Sequence, residues 1–425
     1  MENFYLIDYI RKSNILSPEL LDALKYELDK HIYYYGNHFK YPKETRVVRK
    51  ARIISKVMND LFFAIQIFKS GKIDITKKII LSNAYFTINA ELRKLNYDVF
   101  SPSWCMASDK LVLTTPSIYK KSEEIKKKFS RDSFFELISP RFVKILEDFN
   151  NELNNFYTRQ KISALFVPND LSFFENFSIQ VCKKLNIPSF VFLHGLPGRY
   201  NNIDDNRADY LIVWGEKIKI NYVKAGVNAN KIFVSGHPYY KSITNRNLKF
   251  SLEDILVITK TVSGAPPCSN EIRLSDRGNL LLFLYSIENV LKMLGVKAVR
   301  FRPHPSENPE WYLEFINSDF YRLDTSSLQE SIQRSSLIIG SNSTVFLESI
   351  YYGVNYLIYE PSIDNVDLVN DLLVPPFDGS DSRIPVAKSE EELKYLLINE
   401  YRIDPAFFHE YIKTPFDISF VRQLI

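Results

Sequence analysis

Two short polar segments in the last third of the chain follow apolar runs, and their residue types suit the binding of an anion. The first, Arg302-Pro303-His304-Pro305, follows a run in which Val299 and Phe301 alternate with arginines. The second, Ser341-Asn342-Ser343-Thr344, follows the run 337–340 and precedes a helical pattern. Hydroxyls and free backbone N–H groups at a helix start bind anions, and the helix dipole favours them. The two segments predict a pocket for the phosphate of a nucleotide leaving group.

Two further polar segments follow apolar runs in the middle of the chain. Pro168-Asn169-Asp170 follows the run 162–167, and His194-Gly195-Leu196-Pro197-Gly198 follows the run 188–193. We expect Gly195 and Gly198 to give the chain a permissive turn at this point. In open parallel sheets, ligands collect beyond the carboxyl ends of the strands. These segments are therefore expected to border the same cleft as the phosphate pocket.

The apolar runs alternate with helical patterns, which predicts an α/β fold. Short runs rich in β-branched residues are separated by stretches with a helical period, and the alternation begins near residue 78. Strand, helix and strand at this spacing imply parallel sheets with right-handed crossovers. The pattern is lost at 239–252 and resumes at 255. We therefore expect two facing Rossmann-like domains.

The length of 425 residues suits two domains of about 200 residues each. We predict a first domain over 1–240, in which 1–75 form a helical extension, and a linker over 241–252. A second domain is predicted over 253–388, followed by a helical tail over 389–425.

Composition excludes several classes of protein. A net charge of +4 is small for this length and argues against a dedicated nucleic-acid binder. Cys105, Cys182 and Cys268 lie far apart without CxxC spacing, which argues against a disulfide framework or a zinc site. The first residues lack the apolar core of a signal peptide, and no stretch approaches the roughly 20 apolar residues that span a bilayer. We expect a cytoplasmic protein.

One stretch of the helical extension is strongly basic. Residues 40–56 carry seven basic side chains and only one acid, Glu44. A solvated helix face is the favoured interpretation, because charge runs on helices usually have that role. The alternative is a patch that contacts anionic lipid headgroups or an acidic acceptor, which would place the protein at the inner face of a membrane.

The order of several motifs resembles that of bacterial GT-B glycosyltransferases that build capsule and lipopolysaccharide. The similarity is greatest to the branch with a His-Pro motif and a Ser/Thr motif, which includes polysialyltransferases and β-Kdo transferases that use CMP-activated sugars. It covers roughly 160–362. The motifs that carry it are His194-Gly195, Ala208-Asp209-Tyr210 with Trp214-Gly215, 231–238, Arg302-Pro303-His304-Pro305, and Ser341 to Thr344 with Glu348 and Gly353.

The resemblance implies a donor site in the second domain. His304 would contact the donor phosphate, with Arg302 adding charge and Pro305 shaping the loop. Ser341, Ser343 and Thr344 would hold the same phosphate, and Glu348 would hold the ribose hydroxyls. Helix capping is the alternative for the hydroxyl residues and for His304, and a surface glutamate is the alternative for Glu348.

The resemblance also implies a base on the acceptor side, because an inverting transfer must deprotonate the acceptor hydroxyl. Asp170 is the first choice, with Glu175 and His194 in reserve. Related chains often have a glutamate near that strand tip, so the choice depends on Asp170 being its equivalent. Gly195 and Gly198 would shape the acceptor loop, and a structural histidine is the alternative for His194. His237-Pro238 fits a hinge better than a catalyst.

The expected function is an inverting transfer of a sugar from a nucleotide donor to a bacterial surface glycan or glycolipid, with CMP-linked acid sugars as the leading donors. No DxD motif stands in a convincing place, since Asp204-Asp205 lies in a polar loop. Neither a metal nor another cofactor is therefore expected. The alternatives are a UDP-sugar or CDP-glycerol transferase of the same fold, a UDP-sugar 2-epimerase, and an inactive assembly partner.

Overall fold

The computed structural model describes most of the chain. The described residues are 10, 16–34, 58, 61, 64–65, 77–85, 88–105, 112–131, 134–200, 207–241, 247–260, 271–305, 307, 309–363, 366–367 and 373–425. The basic stretch 40–56 and the pair Asp204-Asp205 lie outside them.

The first sheet has six strands, all parallel. They are β1 Ile79–Ser82, β2 Asp98–Phe100, β3 Ile162–Val167, β4 Ser189–Phe192, β5 Tyr210–Val213 and β6 Ile232–Val234. Their order is β2-β1-β3-β4-β5-β6. The direction of winding reverses between β1 and β3, and a crevice is expected at the carboxyl ends of those two strands.

The second sheet also has six parallel strands. They are β7 Ile255–Ile258, β8 Val299–Arg302, β9 Tyr321–Leu323, β10 Leu337–Gly340, β11 Asn355–Tyr359 and β14 Val386–Ala387. Two short strands between β11 and β14, β12 Ser362–Ile363 and β13 Val366–Asp367, form a separate antiparallel pair. The order β14-β11-β10-β7-β8-β9 is that of a Rossmann fold, with its reversal between β7 and β10. The predicted α/β fold with two Rossmann-like domains is confirmed.

Helices cover both sheets. They are α1 Pro18–Tyr34, α2 Ile88–Lys94, α3 Pro116–Arg131, α4 Phe134–Leu137, α5 Pro140–Arg159, α6 Phe173–Lys184, α7 Glu216–Lys224, α8 Glu271–Met293, α9 Pro309–Leu313, α10 Leu328–Arg334, α11 Val345–Tyr351, α12 Glu390–Ile398, α13 Phe408–Tyr411 and α14 Val421–Leu424. Among the described residues, no helix is long and apolar enough to cross a membrane.

The central strands β7 and β10 of the second sheet lack polar side chains because both of their faces are buried. Along β7, Ile255 and Val257 join the core beneath α8, whereas Leu256 and Ile258 join a core that continues into the first domain. Successive side chains of a strand point to opposite faces, so β7, like β10 and β11, contributes to both cores. The second sheet therefore shares apolar packing with the first domain.

The N-terminal helix α1 is fixed to the first domain by apolar and ionic contacts. Leu21, Leu24 and Leu28 are buried. Two nitrogens of Arg207 donate to the carboxylate of Asp22, each over 2.7 Å. Burial opposes ionisation, but the hydrogen bond and charge of Arg207 outweigh it and lower the pKa of Asp22. Asp22 is therefore a structural partner of Arg207.

The end of the chain returns to the first domain. Lys413 N donates to Trp214 O and Asp417 N donates to Ser235 O, each over 2.8 Å. The ring of Phe420 stacks on Phe233 at a centroid distance of 4.8 Å. The tail thus packs against β6 and the residues that follow β5 and β6.

Candidate functional site

Lys260 and Asn342 meet where the strand order of the second sheet reverses. Lys260 follows β7, Asn342 follows β10, and Lys260 Nζ donates to Asn342 Oδ1 over 2.6 Å. The backbone N–H of Asn342 donates to Oε1 of the buried Glu360 over 2.6 Å. Burial lowers the pKa of the Lys260 ammonium, and the charge of Glu360 opposes the shift. A cation thus stands at the position where this fold binds ligands.

His304 lies on the next strand end, beside Thr259. Its amide is 3.3 Å from Thr259 Oγ1 and 3.1 Å from Glu307 Oε2, and the Thr259 hydroxyl donates to Glu307 Oε2. The imidazole is exposed. Partial burial lowers its pKa, against the charge of Glu307, which favours the neutral ring. Pro305, also exposed, follows it in the same loop.

Arg302 is engaged within the second domain. One guanidinium nitrogen donates to Ser326 O over 2.6 Å and to Ser331 Oγ over 3.2 Å. The same nitrogen lies 3.7 Å from Oδ1 of the buried Asp324. These contacts give Arg302 a structural role between β8 and α10, and they differ from the predicted contact with a donor phosphate.

The Ser/Thr segment lies between the two domains. Thr344 Oγ1 accepts a hydrogen bond of 3.2 Å from the amide of Leu196. Ser343 Oγ accepts one of 3.3 Å from Val345 N at the start of α11. Ser341 Oγ is buried and has no hydrogen-bond partner among the described residues, although the carbonyl of Ser341 accepts from Tyr356 OH over 2.6 Å. The segment therefore contains Thr344, which contacts the first domain, and Ser341, whose buried hydroxyl has no hydrogen-bond partner among the described residues.

Glu348 lies one helical turn after Thr344. Its side chain is half-buried, and burial raises its pKa. Its charge also contributes to raising the pKa of the buried Tyr240, which follows β6 in the first domain. Glu348 thus lies at the junction of the domains.

His194 brings the first domain to this site. Its ring Nδ1 lies 3.3 Å from Pro168 O. Because a carbonyl only accepts hydrogen bonds, this contact favours a proton on Nδ1, and Nε2 of the neutral ring with that tautomer carries the lone pair. The exposed ring is 5.6 Å from the ring of Tyr85, which follows β1. Three neighbouring strand ends therefore surround this imidazole.

The two glycines after His194 have different surroundings. Neither has a positive φ, so the predicted need for a permissive turn is wrong. A Cβ on Gly195 would lie 3.1 Å from Thr344 Oγ1, whereas one on Gly198 would meet nothing within 4 Å. The second domain thus approaches Gly195 closely, and a side chain there would have to displace the Thr344 hydroxyl slightly.

Asp170 stands at the tip of β3, but its carboxylate points into the protein. The residue is 1% exposed, and Oδ2 accepts from the amides of Arg207 at 2.6 Å and Ala208 at 3.3 Å. It therefore fixes the start of the segment that leads into β5.

Glu175 lies in the first turn of α6. Asn83 Nδ2 donates to Glu175 Oε1 over 2.8 Å and links the end of β1 to the helix that follows β3. Burial raises the pKa of Glu175, although the hydrogen bond from Asn83 opposes the shift. A carboxyl group of raised pKa therefore stands at the reversal point of the first sheet.

The structure brings His194, Gly195, Ser343 and Thr344 to one domain junction, and it places Lys260 and His304 on adjoining strand ends. Sequence reasoning missed Lys260 and Asn83. The available signal was their position, directly after β7 and β1, the strands at which each winding reverses. Among the described residues, no group of three or more His, Cys, Asp or Glu side chains is arranged to hold a metal ion.

Comparisons with known proteins give fold-level similarity only. No protein-family model and no curated protein sequence matches the chain. The UDP-GlcNAc 2-epimerase from Neisseria meningitidis is 12% identical, with a TM-score of 0.44 over 82% of this chain and 97% of that one. The enzyme of the same name from Methanocaldococcus jannaschii is 15% identical, with a TM-score of 0.44 over 82% and 98%. The wall teichoic acid polymerase TagF is 12% identical, with a TM-score of 0.40 over 90% and 96%.

Proposed function

We propose that this protein is an inverting glycosyltransferase that moves a sugar from a nucleotide donor to an acceptor glycan of the bacterial surface. The hydrogen bond from Leu196 to Thr344 supports the proposal, because it joins the loop that follows His194 in the first domain to the start of α11 in the second. A transferase needs these two parts together: a base on the acceptor side and a phosphate site on the donor side.

The donor phosphate is proposed to bind at the reversal point of the second sheet. Lys260 supplies a positive charge, the neutral ring of His304 supplies one N–H group, and Ser343 supplies a hydroxyl. A single ammonium suits a leaving group with one phosphate better than one with two. This favours a CMP-linked acid sugar, such as Kdo or a sialic-like sugar, over a UDP-sugar or CDP-glycerol. Glu348 is the proposed partner of the ribose hydroxyls.

His194 is the proposed general base. Its Nε2 lone pair takes the proton of an acceptor hydroxyl, whose oxygen attacks the anomeric carbon of the donor. The bond from that carbon to the nucleotide oxygen breaks on the opposite face, so the configuration inverts and the nucleotide leaves as an anion. Lys260 stabilises the charge that develops on the phosphate. Asp170 then has a positioning role, since a buried carboxylate bonded to two backbone amides is poorly placed to meet an acceptor.

The proposal needs neither a metal ion nor another cofactor, because Lys260 provides the positive charge. The proposed partners are a nucleotide-sugar and an oligosaccharide or glycolipid. The proposed location is the cytoplasm, at the inner face of the membrane. Contact of residues 40–56 with anionic lipid is the alternative to a solvated helix face, and these residues lie outside the described part of the chain.

The decisive experiment incubates the protein with CMP-, UDP- and CDP-linked donors, with and without acceptor glycans. CMP release that requires an acceptor would support the proposal. Formation of a 2-epimer from a UDP-sugar without any acceptor would replace it with an epimerase. Thermal unfolding gives a second measurement, because a ligand at 100 times its dissociation constant adds about 2.7 kcal/mol of stability. Stabilisation by UMP or UDP and not by CMP would contradict the choice of donor.

A further inference from the structure

A buried glutamate stands at the end of β11, behind the residues proposed to hold the donor phosphate. Glu360 is 1% exposed. Its own N–H donates to Ala387 O of β14 over 2.9 Å, which fixes its backbone between two strands. Glutamate is rarely buried to this extent unless hydrogen-bond donors or a cation compensate its charge. The surroundings of this carboxylate therefore indicate what it does.

Three neighbouring strand ends are connected through Asn342. The strands lie in the order β11-β10-β7, so the residues that follow them are side by side. Lys260, after β7, donates from its ammonium to the side chain of Asn342, after β10, over 2.6 Å. The backbone N–H of Asn342 donates to Oε1 of Glu360 over 2.6 Å. Asn342 thus links a cation at one strand end to a carboxylate at another.

The strand β11 also holds the residue before Asn342. The hydroxyl of Tyr356 donates to Ser341 O over 2.6 Å. A Cβ on Gly340 would clash with the hydroxyl oxygen of Tyr356 and with Cγ1 of Ile258, so the end of β10 packs closely against both neighbouring strands. Two consecutive residues of the Ser/Thr segment are therefore anchored to β11 before the chain reaches the proposed phosphate ligands.

The ammonium of Lys260 needs a negative charge near it to stay protonated. Burial lowers the pKa of Lys260, and the charge of Glu360 opposes that shift. Only the ammonium form makes a charge-assisted hydrogen bond to a phosphate, and such bonds are about twice as strong as neutral ones. The buried carboxylate thus favours the form of Lys260 that binds an anion.

Several other charged or titratable side chains belong to the elements around Lys260. They are Arg302, His304 and Glu307 after or at the end of β8, Glu348 in α11 and Lys388 after β14. Among the described residues, none of these five contributes to the shift in the pKa of Lys260, whose causes are its burial and the charge of Glu360. The pairing of Lys260 with Glu360 is therefore specific.

We propose that Glu360 is a positioning residue of the donor site: its carboxylate anchors the backbone of Asn342 and keeps a negative charge behind the ammonium that meets the donor phosphate. The inference rests on the proposed function and assigns a role to a residue that acts through Lys260 and Asn342. A glutamate that only supports the fold is the alternative, and the pH dependence of binding distinguishes the two.

The first test measures CMP binding to Glu360→Gln as a function of pH. The glutamine keeps an oxygen that can accept from Asn342 and removes the charge. CMP binds the charged form of Lys260, so affinity is present below the pKa of the ammonium and is lost as the pH rises through it. Without the carboxylate this pKa falls, so the midpoint of the loss should move down by about one pH unit.

The measurement is calorimetric titration of the full chain between about pH 7.5 and pH 10. The second pKa of a phosphate monoester is about 6, so the phosphate of CMP stays fully ionised throughout this range.

A second readout follows Lys260 without any nucleotide. The uncharged amine is the nucleophilic form, so trace acetylation at each pH reports the fraction of Lys260 that is deprotonated. Mass spectrometry of the peptide that contains Lys260 gives the rate. In Glu360→Gln the acetylation profile should move to lower pH by the same amount as the loss of CMP binding.

Two controls separate the charge of Glu360 from a general effect on the fold. Glu288→Gln is matched, because Glu288 is 8% exposed, accepts from Asn317 Nδ2 over 3.0 Å and lies 2.6 Å from Lys292 Nζ in the same domain. It should leave both profiles unchanged. In a Lys260→Arg background the guanidinium stays charged over the whole range, so Glu360→Gln should no longer move the midpoint of CMP binding.

Glu360→Asp keeps the charge and shortens the side chain by one methylene, so it should retain the wild-type midpoint even where its affinity is lower. This variant tests the inference if Glu360→Gln does not fold, because a midpoint that moves down in Glu360→Asp would contradict a role for the charge.

A loss of CMP affinity by the same factor at every pH, with an unmoved acetylation profile in Glu360→Gln, would mean that Glu360 only supports the fold, and would overturn the inference. An acetylation profile that moves in a protein that binds no CMP, UMP or UDP would instead contradict the proposed function. That result would still support the pairing of Glu360 with Lys260.

Discussion

Lys260 Nζ donates to Asn342 Oδ1 across the point at which the second sheet reverses its winding, over 2.6 Å. The corresponding point of the first sheet carries the hydrogen bond from Asn83 to Glu175, over 2.8 Å. Each pair joins two elements that are adjacent in space but distant in the chain. One half of the molecule thus presents a cation, and the other a carboxyl group, at the position where such sheets receive ligands.

Replacement of Lys260 should weaken nucleotide binding. Lys260→Met removes the ammonium while keeping much of the apolar stem, and a hydrogen bond to a charged group contributes about 1.5–3 kcal/mol. We expect the dissociation constant for CMP to rise about ten- to a hundredfold in calorimetric titration. Lys249→Met is the control, because the ammonium of Lys249 is exposed and donates to Gln333 O in α10. An equal loss in both variants would rule out a specific phosphate contact.

Replacement of Arg302 should affect stability and spare nucleotide binding. Arg302→Gln breaks the hydrogen bonds to Ser326 and Ser331, and it removes a positive charge from beside the buried carboxylate of Asp324. We expect the free energy of unfolding in urea to fall by about 1–3 kcal/mol. Arg322→Gln, at an exposed position on β9, should change it by less than about 0.5 kcal/mol. A large loss of CMP affinity in a folded Arg302→Gln protein would instead support the phosphate contact predicted from the sequence.

Substitution of His194 should remove turnover and leave the donor bound. His194→Asn lacks the Nε2 lone pair, and the loss of a general base costs about 10²–10⁴ in rate. We expect a fall of that size in kcat, measured as acceptor-dependent CMP release, with the affinity for CMP unchanged. The control is His409→Asn, an exposed histidine on α13. If His194→Asn retains turnover and Glu175→Gln loses it, the base is Glu175.

The fold could be predicted from the sequence because parallel strands that are buried on both faces consist of short runs of apolar residues. Ile255 to Ile258 are all apolar since alternate side chains enter different cores. The order of the strands follows from the handedness of their crossovers and from packing between distant segments. The runs alone therefore indicated two parallel sheets, but not the places where each winding reverses.

Site residues could be predicted where the residue type and its position at a strand end were sufficient. They could not be predicted where a contact with a residue distant in the sequence determines how the side chain is oriented. His194 and His304 stand at strand ends and proved exposed there. Asp170 also stands at a strand end, but the amide of Arg207, 37 positions later, draws its carboxylate inward. Lys260 carried no motif, and its place became evident only through Asn342.

The contact between the domains should depend on Gly195. A Cβ there would lie 3.1 Å from Thr344 Oγ1, so Gly195→Ala must displace one segment by a few tenths of an ångström. We expect a loss of about 1–3 kcal/mol in the free energy of unfolding, together with reduced turnover. Gly198→Ala is the matched control, because its added Cβ would meet nothing within 4 Å. Equal stability of the two variants would show that the contact tolerates a methyl group.

Stability should fall in mild acid because His237 is buried in its neutral form. The residue is 3% exposed, and its Nδ1 accepts from the amide of Tyr239 over 3.2 Å. Burial lowers the pKa of His237 from its ordinary 6.5 to about 3. The unfolded chain therefore takes up a proton as the pH falls through 6.5, whereas the folded protein does not. The free energy of unfolding therefore does not depend on the protonation of His237 well above pH 6.5. Below pH 6.5 it decreases by about 1.4 kcal/mol per pH unit, which gives a loss of about 2 kcal/mol at pH 5.

The variant His237→Asn isolates this contribution. An asparagine oxygen can accept from Tyr239 N as Nδ1 does, but it does not titrate. Urea unfolding of both proteins between pH 8 and pH 5 should give curves whose separation shrinks by about 2 kcal/mol as the pH falls. The variant should be less stable at pH 8, because it fills less of the space beside Trp214, whose ring centroid lies 4.6 Å from that of His237. A separation that stays constant over this range would mean that His237 takes up its proton in the folded protein as readily as in the unfolded chain.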